Sequence, residues 1–291
     1  MEALIRKRLV EDPVIQSQLA TFYGQPAVFQ RQAPSDTDSG WDGPQYPRID
    51  FVVDRQENPE RKVQGVASFN IWALTTSQAR PNDIERRIRE LLDGAFFHPE
   101  GQDTTALRWS QSDMFEAGND NELIIGITVL FDLLAFPLQT TFSPDPILAL
   151  NEWAESKFSV LQVDPETWTP ADSNSALYWR LAGITGIEML NWGAWVTATI
   201  AGHVLAPSPI PRLEWTRRLT EALALERRVK LDDGSQMSIL SISADSTSDP
   251  LTTGQIQLSI RYGVLTPAEV FDPLNVAYVK TTDGAGGVVK K

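Results

Sequence analysis

The chain has 291 residues, a net charge of -13, 42% hydrophobic residues, nine Trp and no cysteine. This length suits two domains of ordinary size, the acidic balance argues against a phosphate-reading nucleic-acid binder, and the missing thiols exclude disulfides, thiolate zinc sites and Cys nucleophiles. No apolar run approaches the roughly 20 residues of a membrane helix, and the opening M-E-A-L-I-R-K-R-L-V predicts an amphipathic helix rather than a signal peptide.

Residues 1–23 are predicted to form one helix, with Leu4, Ile5, Leu9, Ile15, Leu19 and Phe22 at helical spacing, interrupted at Asp12-Pro13 as a kink or as a short arm followed by the helix proper. Gly24-Gln25-Pro26 ends this helix, and Val28 to Gln32 reads as a short strand. Residues 33–47, A-P-S-D-T-D-S-G-W-D-G-P-Q-Y-P, are loop by composition. Asp36, Asp38 and Asp42 resemble a fragment of a calcium loop, but Gly40 stands at position five and no Glu closes the series, so no metal site is assigned. Trp41 and Tyr46 are candidate anchors for a partner, or aromatics tucked back on the domain. Ile49–Val53 and Val63–Leu74 predict a hairpin with the polar tip D-R-Q-E-N-P-E-R-K. A helix over Pro81–Leu92 follows, ended by Gly94. Leu107–Gln111 and Leu123–Leu134 predict a second hairpin.

Leu138–Pro144 reads as a linker. Beyond it come a helix over Pro146–Phe158, a Pro-rich loop carrying a further candidate anchor, Trp168, and a hairpin over Leu177–Leu205. A helix over Pro211–Leu223, a D-D-G turn, and strands over Met237–Ala244 and Gln255–Leu265 complete this half. After Pro267 periodicity is lost, and Thr281–Lys291 reads as a flexible tail able to order on assembly.

The two halves repeat one another. Arg86-Arg87-Ile88 aligns with Arg217-Arg218-Leu219; Ile127, Val129 and Phe131 align with Leu258, Ile260 and Tyr262. Ala67, Phe69 and Ile71 align with Val196, Ala198 and Ile200, and Asp12-Pro13 with Asp145-Pro146. The predicted fold is therefore α/β of the α+β kind: two similar αββαββ domains, each a mainly antiparallel sheet packed with helices. Their expected bounds are 1–137 and 145–267, with 138–144 linking them and 268–291 as an extension. The halves differ at the first hairpin tip, where the second has the apolar G-I-T-G-I-E-M-L-N-W-G-A-W. Its Ile187, Met189, Leu190, Trp192 and Trp195 call for cover, from the other half or from another chain.

No catalytic or cofactor constellation is found. His98 and His203 are isolated in sequence, and no HExxH, GxSxG, phosphate loop or dinucleotide fingerprint occurs. A pair of carboxylates needs no local motif, so an acidic enzyme stays as a rival reading. The basic residues concentrate on the two repeated helices among Glu, which predicts solvated helix faces or a subunit interface.

The first half resembles the tail terminator (tail-completion) proteins of long-tailed bacteriophages. The resemblance covers about residues 10 to 137 and is carried by Tyr46-Pro47-Arg48-Ile49-Asp50-Phe51, V-A-S-F-N-I-W-A-L, I-E-R-R-I-R-E-L-L-D-G and I-I-G-I-T-V-L-F-D-L in that order. The second half departs from it, with Leu177-Tyr178-Trp179 in place of the Tyr-Pro lead-in and no Gly after Leu223. The resemblance implies a non-enzymatic virion protein of the tail or neck, assembled in the host cytoplasm, that forms a ring capping the tail tube. It implies as partners further copies of itself, the tail tube protein, the head-completion (connector) protein and a sheath or collar protein. With two domains per chain the ring is a hexamer, or a trimer of pseudo-six-fold order; the diverged hairpin tips favour the hexamer. Another tail, collar or sheath-associated protein is the nearest alternative, and a ligand-binding module a further one.

Overall fold

The computed structural model describes residues 1–56, 63–119, 122–137, 142–163, 175–206, 208–266, 276–280 and 286–290. Strand outweighs helix, 46% against 24%, which makes the class α+β. The first half runs α1 (Glu2–Val10), α2 (Pro13–Gln18), the short strands β1 (Thr21–Phe22), β2 (Gln25–Pro26) and β3 (Val28–Gln30), then β4 (Arg48–Arg55), β5 (Val63–Leu74), α3 (Pro81–Leu92), β6 (Phe96–Phe97), β7 (Thr104–Asn119) and β8 (Glu122–Phe136). The second runs α4 (Pro146–Lys157), β9 (Ala176–Leu190), β10 (Gly193–Leu205), α5 (Pro209–Glu226), β11 (Arg228–Lys230), β12 (Gln236–Ala244) and β13 (Ile256–Leu265). β14 (Val276–Lys280) and β15 (Gly286–Lys290) follow.

The first sheet has the order β3-β4-β5-β8-β7-β6 and the second β11-β12-β13-β10-β9. Reversed, the second order matches the first strand for strand, except that β3 has no counterpart strand. Alternating apolar residues dictate this pairing, since every second side chain of a strand faces the helices. In the first half Ala67, Phe69 and Ile71 lie opposite Phe131, Val129 and Ile127. In the second, Val196, Ala198 and Ile200 lie opposite Tyr262, Ile260 and Leu258. All twelve are buried.

Each sheet is closed on one face by its own helices. On α3, Ile84, Ile88 and Leu92 recur every fourth residue and are fully buried, while Arg86–Asp83 pair on the outer side and Arg89–Glu85 on the flank that meets Trp109 and Ser112 of β7. On α5, Leu219 and Leu223 do the same, with Arg217–Glu221 and Arg218–Glu214 outside. The entry helices are capped alike. Asp12 accepts from the backbone N–H of Val14 at 3.1 Å and Ile15 at 3.0 Å; Asp145 accepts from Ile147 at 2.8 Å and Leu148 at 3.1 Å. A proline sits at the first helical position each time.

The cores are filled differently. Phe51 stacks on Phe69 and Phe69 meets Phe131 edge-on, both at 5.5 Å between ring centroids. In the second half Ala198 stands where Phe69 does, and the buried indole of Trp179 packs further along the strand against Gly202, where an added Cβ would lie 2.3 Å from Trp179 Cζ3. The halves meet through a third apolar cluster of Ala106, Leu134, Phe136, Ala176, Tyr178, Leu205 and Leu251. Polar bonds fix the junction: Tyr178 Oη donates to the Pro137 carbonyl at 3.0 Å, Arg180 Nη2 to that of Ala135 at 2.9 Å, and Arg108 Nη2 pairs with Asp249 at 3.0 Å.

Three expectations change. The helix predicted over residues 1–23 is two helices, because Asp12 caps a new one at Pro13, and Phe22 belongs to a two-strand ribbon turning at Gly24 with φ 71°. α5 runs past the expected Leu223 to Glu226; without a glycine it ends at Arg227, which takes a left-handed φ of 59°. The C-terminal extension is not merely a tail: V-A-Y-V-K pairs antiparallel with G-G-V-V-K, Val276 opposite Lys290. Valines and tyrosine favour strand there.

Candidate interface

The loop aromatics fold back on the first half. Phe22 bridges to Trp41, and the Trp41 ring lies 5.1 Å from Phe22 and 5.7 Å from Phe29, its Nε1 donating to the Ser35 carbonyl at 3.0 Å. Tyr46 is buried, its hydroxyl donating to Asp36 at 3.0 Å with the Arg48 guanidinium 4.4 Å from its ring. Of the two expected placements, Tyr46 takes the one tucked back on its own domain, and Trp41 is half-buried there. The three loop aspartates serve separate structural bonds, Asp36 with Tyr46 and Arg48, Asp38 with Gly40 N, Asp42 with Gly24 N. Trp168 and much of the polar tip of the first hairpin lie outside the described residues.

The apolar hairpin behaves differently. β9 and β10, of 15 and 13 residues, run out from the junction between halves for roughly 40–46 Å at about 3.3 Å per residue step, and their free end has no cover among the described residues. Ile187 is 62% exposed, Met189 86% and Trp192 41%; Leu190 and Trp195 are half-buried. Among the described residues the other half supplies no cover here, and another chain is the second of the two expected solutions. Register shows why: Ile187 shares a row with Val196 and Tyr262, so it continues the core-facing side beyond the reach of α4 and α5. Glu188, Trp195 and Gly263 share the next row, on the opposite side. There the absent side chain of Gly263 makes room for Trp192 and Trp195, which meet edge-on at 5.3 Å, with the Arg261 guanidinium 5.0 Å from the Trp195 ring and paired to Glu188 at 2.5 Å. Leu265, 67% exposed, extends the patch across a third strand.

No family model, curated protein or solved structure matches the chain. Its site must be judged on chemistry alone. His203 is fully buried at the junction, Nδ1 2.8 Å from the Pro250 carbonyl and its ring beside Phe136 and Tyr178. His98 lies 2.8 Å from Thr104 Oγ1, at an open cleft of about 750 Å³ lined by Arg55, Glu100 and Asp103. Among the described residues no three His, Asp or Glu side chains gather as metal ligands. The buried carboxylate Asp50 accepts from Asn70 at 2.7 Å and Trp72 Nε1 at 2.5 Å, and Asn70 in turn accepts from Thr128. Burial pushes its pKa up against those bonds. Sequence reasoning missed this network, whose only sign is the polar side of alternation in N-I-W and I-T-V.

What the β9–β10 arm supplies is surface: two exposed apolar sides and an edge strand, with a single ion pair on one flank. Such a patch on an otherwise acidic chain fits packing against protein.

Proposed function

We propose that the chain is a structural subunit of a ring that closes the tail tube of a long-tailed bacteriophage and joins it to the head. The observation that carries this reading is the β9–β10 arm, uncovered among the described residues, apolar in the half that departs from the tail-terminator pattern and replaced by a charged tip in the half that keeps it. A contact that uses the arm on one copy and a different surface on the next is heterologous, and it closes into a ring when its rotation divides a full turn. The two-domain chain, with one half retaining the family pattern and the other elaborated, suits two layers, one on the tube and one outward.

The acidic surface is compatible with a conduit for DNA, since like charge keeps phosphate from sticking. No chemistry is required of the subunit: its action is to bury the growing end of the tube and offer the head a matching surface.

Sedimentation of the purified chain, with negative-stain images, tests this. The expected result is closed rings of six or three copies that bind the end of tail tubes. A compact monomer at all concentrations overturns it.

A further inference from the structure

Among the described residues the outer edge of β9 beyond Ala176 is open, and the same chain carries two strands that pair only with each other. In the first half the equivalent edge is filled: β3 lies parallel to β4, with Val28, Phe29 and Gln30 opposite Ile49, Asp50 and Phe51. Ile49 pairs across to Ile71 and Phe51 to Phe69; their counterparts Ile200 and Ala198 pair to Leu181 and Ile184. Leu181–Ile184 is therefore where a sixth strand would sit. Among the described residues β9 has on that side only a parallel bridge from Gln162 to Ala176, at its buried beginning. Residues Ile184 to Met189 are exposed. An exposed edge of this length with Ile184, Ile187 and Met189 on it invites another strand.

Among the described residues β14 and β15 form a two-stranded sheet joined to none of the other three. An isolated two-stranded hairpin is marginal in water and gains most by joining a larger sheet. Its place of departure is telling. Thr266 N donates to the Trp192 carbonyl at 2.9 Å, so the chain leaves the body at the free end of the arm. The ten Cα steps from 266 to 276 span up to about 33 Å, ample for reaching an adjacent molecule. Charge points the same way: Lys280, Lys290 and Lys291 against Asp283 make residues 276–291 basic, while the whole chain carries -13.

We infer that the β14–β15 hairpin of one copy adds to the open β9 edge of the next, extending a five-stranded sheet to seven strands across the subunit boundary. Donor and acceptor are different surfaces of one chain, so the contact is heterologous and propagates from copy to copy until it closes. The inference deepens the ring reading and rests on its premise that copies associate.

The chain has no cysteine, so introduced thiols report cleanly. Thr185→Cys chains are mixed with chains carrying Ala277→Cys or Tyr278→Cys, at successive positions of β14 so that either register is sampled, and oxidised mildly. Disulfides between the two kinds of chain are expected with one of the donors, together with at least a tenfold loss of association when residues 276–291 are removed. If rings form, give no such cross-link and survive the truncation, the strand donation is wrong and the ring stands. If Thr185→Cys/Tyr278→Cys and Thr185→Cys/Ala277→Cys double variants close disulfides only within single molecules, the hairpin covers its own edge and the inference fails. A full-length chain that never associates overturns ring and donation together.

Discussion

Arg87 and Asp12, which lie on different helices, share two bonds: Nη2 to Oδ2 at 2.6 Å and Nε to Oδ1 at 3.2 Å. Asp12 also caps α2, so one carboxylate both starts a helix and ties it to α3. The corresponding Asp145 caps α4, whereas Arg218 pairs with Glu214 on its own helix. The Arg87 guanidinium is the main reason that the Asp12 carboxyl is held below the usual carboxylate range.

Asp12→Ala is expected to lose about 2–3 kcal/mol, from the cap and from an arginine left without its main partner; Asp12→Asn keeps an acceptor for the cap and loses about 1 kcal/mol. The sign with pH follows from a depressed folded-state pKa. The contribution is complete above the unfolded value of about 4 and is lost as pH falls through the lower folded value. Urea midpoints of Asp12→Asn and the parent chain, compared from pH 7 downward, should converge below about pH 4. A constant gap would contradict the ion pair.

Asp50 has the opposite sign. Burial raises its pKa, so the folded state binds the proton more tightly and this residue's contribution declines as pH rises through the window above about 4. The Trp72 and Asn70 donors limit the rise. Trp72→Phe should push the Asp50 carboxyl higher still, read from its carbon chemical shift during titration. An unchanged or lowered value would remove the indole from this account.

Arg227 ends α5 in a left-handed conformation that costs a residue with a side chain roughly 1 kcal/mol relative to glycine. Its N–H donates to Leu223 O at 3.0 Å and its carbonyl accepts from Ile239 N at 2.9 Å, bonds that glycine retains. Arg227→Gly is therefore expected to raise unfolding stability by about 0.5–1 kcal/mol. Chemical denaturation measures it, and a loss of stability would count against the cap.

Phe136 is fully buried between the halves, 5.3 Å from Tyr178 and 5.6 Å from Phe96 between ring centroids. Phe136→Ala should cost about 3–5 kcal/mol and split thermal unfolding into two calorimetric transitions, one per half. A single transition at the parental temperature would mean that the junction does not couple them.

The arm is a different case, exposed in the isolated chain. Ile187→Glu with Met189→Glu should leave stability within about 0.5 kcal/mol of the parent yet prevent ring formation, seen by sedimentation. Rings of normal size would show that the arm is not the contact.

The repeat was legible because buried alternation leaves a strong mark: Phe69 and Val129, Ala198 and Ile260 sit where their spacing put them. α3 was legible from Ile84, Ile88 and Leu92 and its flanking proline and glycine. The fate of the aromatics was not. Trp41, Tyr46 and Trp192 are all aromatics in turn-rich stretches, and only distant partners decide that the first two turn inward: Phe22 and Phe29 for Trp41, Asp36 and Arg48 for Tyr46. The length of β7, the hairpin at Val276–Lys280 and the open side of β9 depend on partners far along the chain, which local pattern does not record.

The shared alignment of Ile71 with Ile127 and of Ile200 with Leu258 gives the molecule a built-in control. A residue swapped on one rung has a twin rung in the same polypeptide, at identical temperature, pH and concentration. Differences between twins then report on what surrounds each rung: the side chains, the β3 strand present only in the first sheet, and the register shifts beside Ala198 and Ile200 in the second.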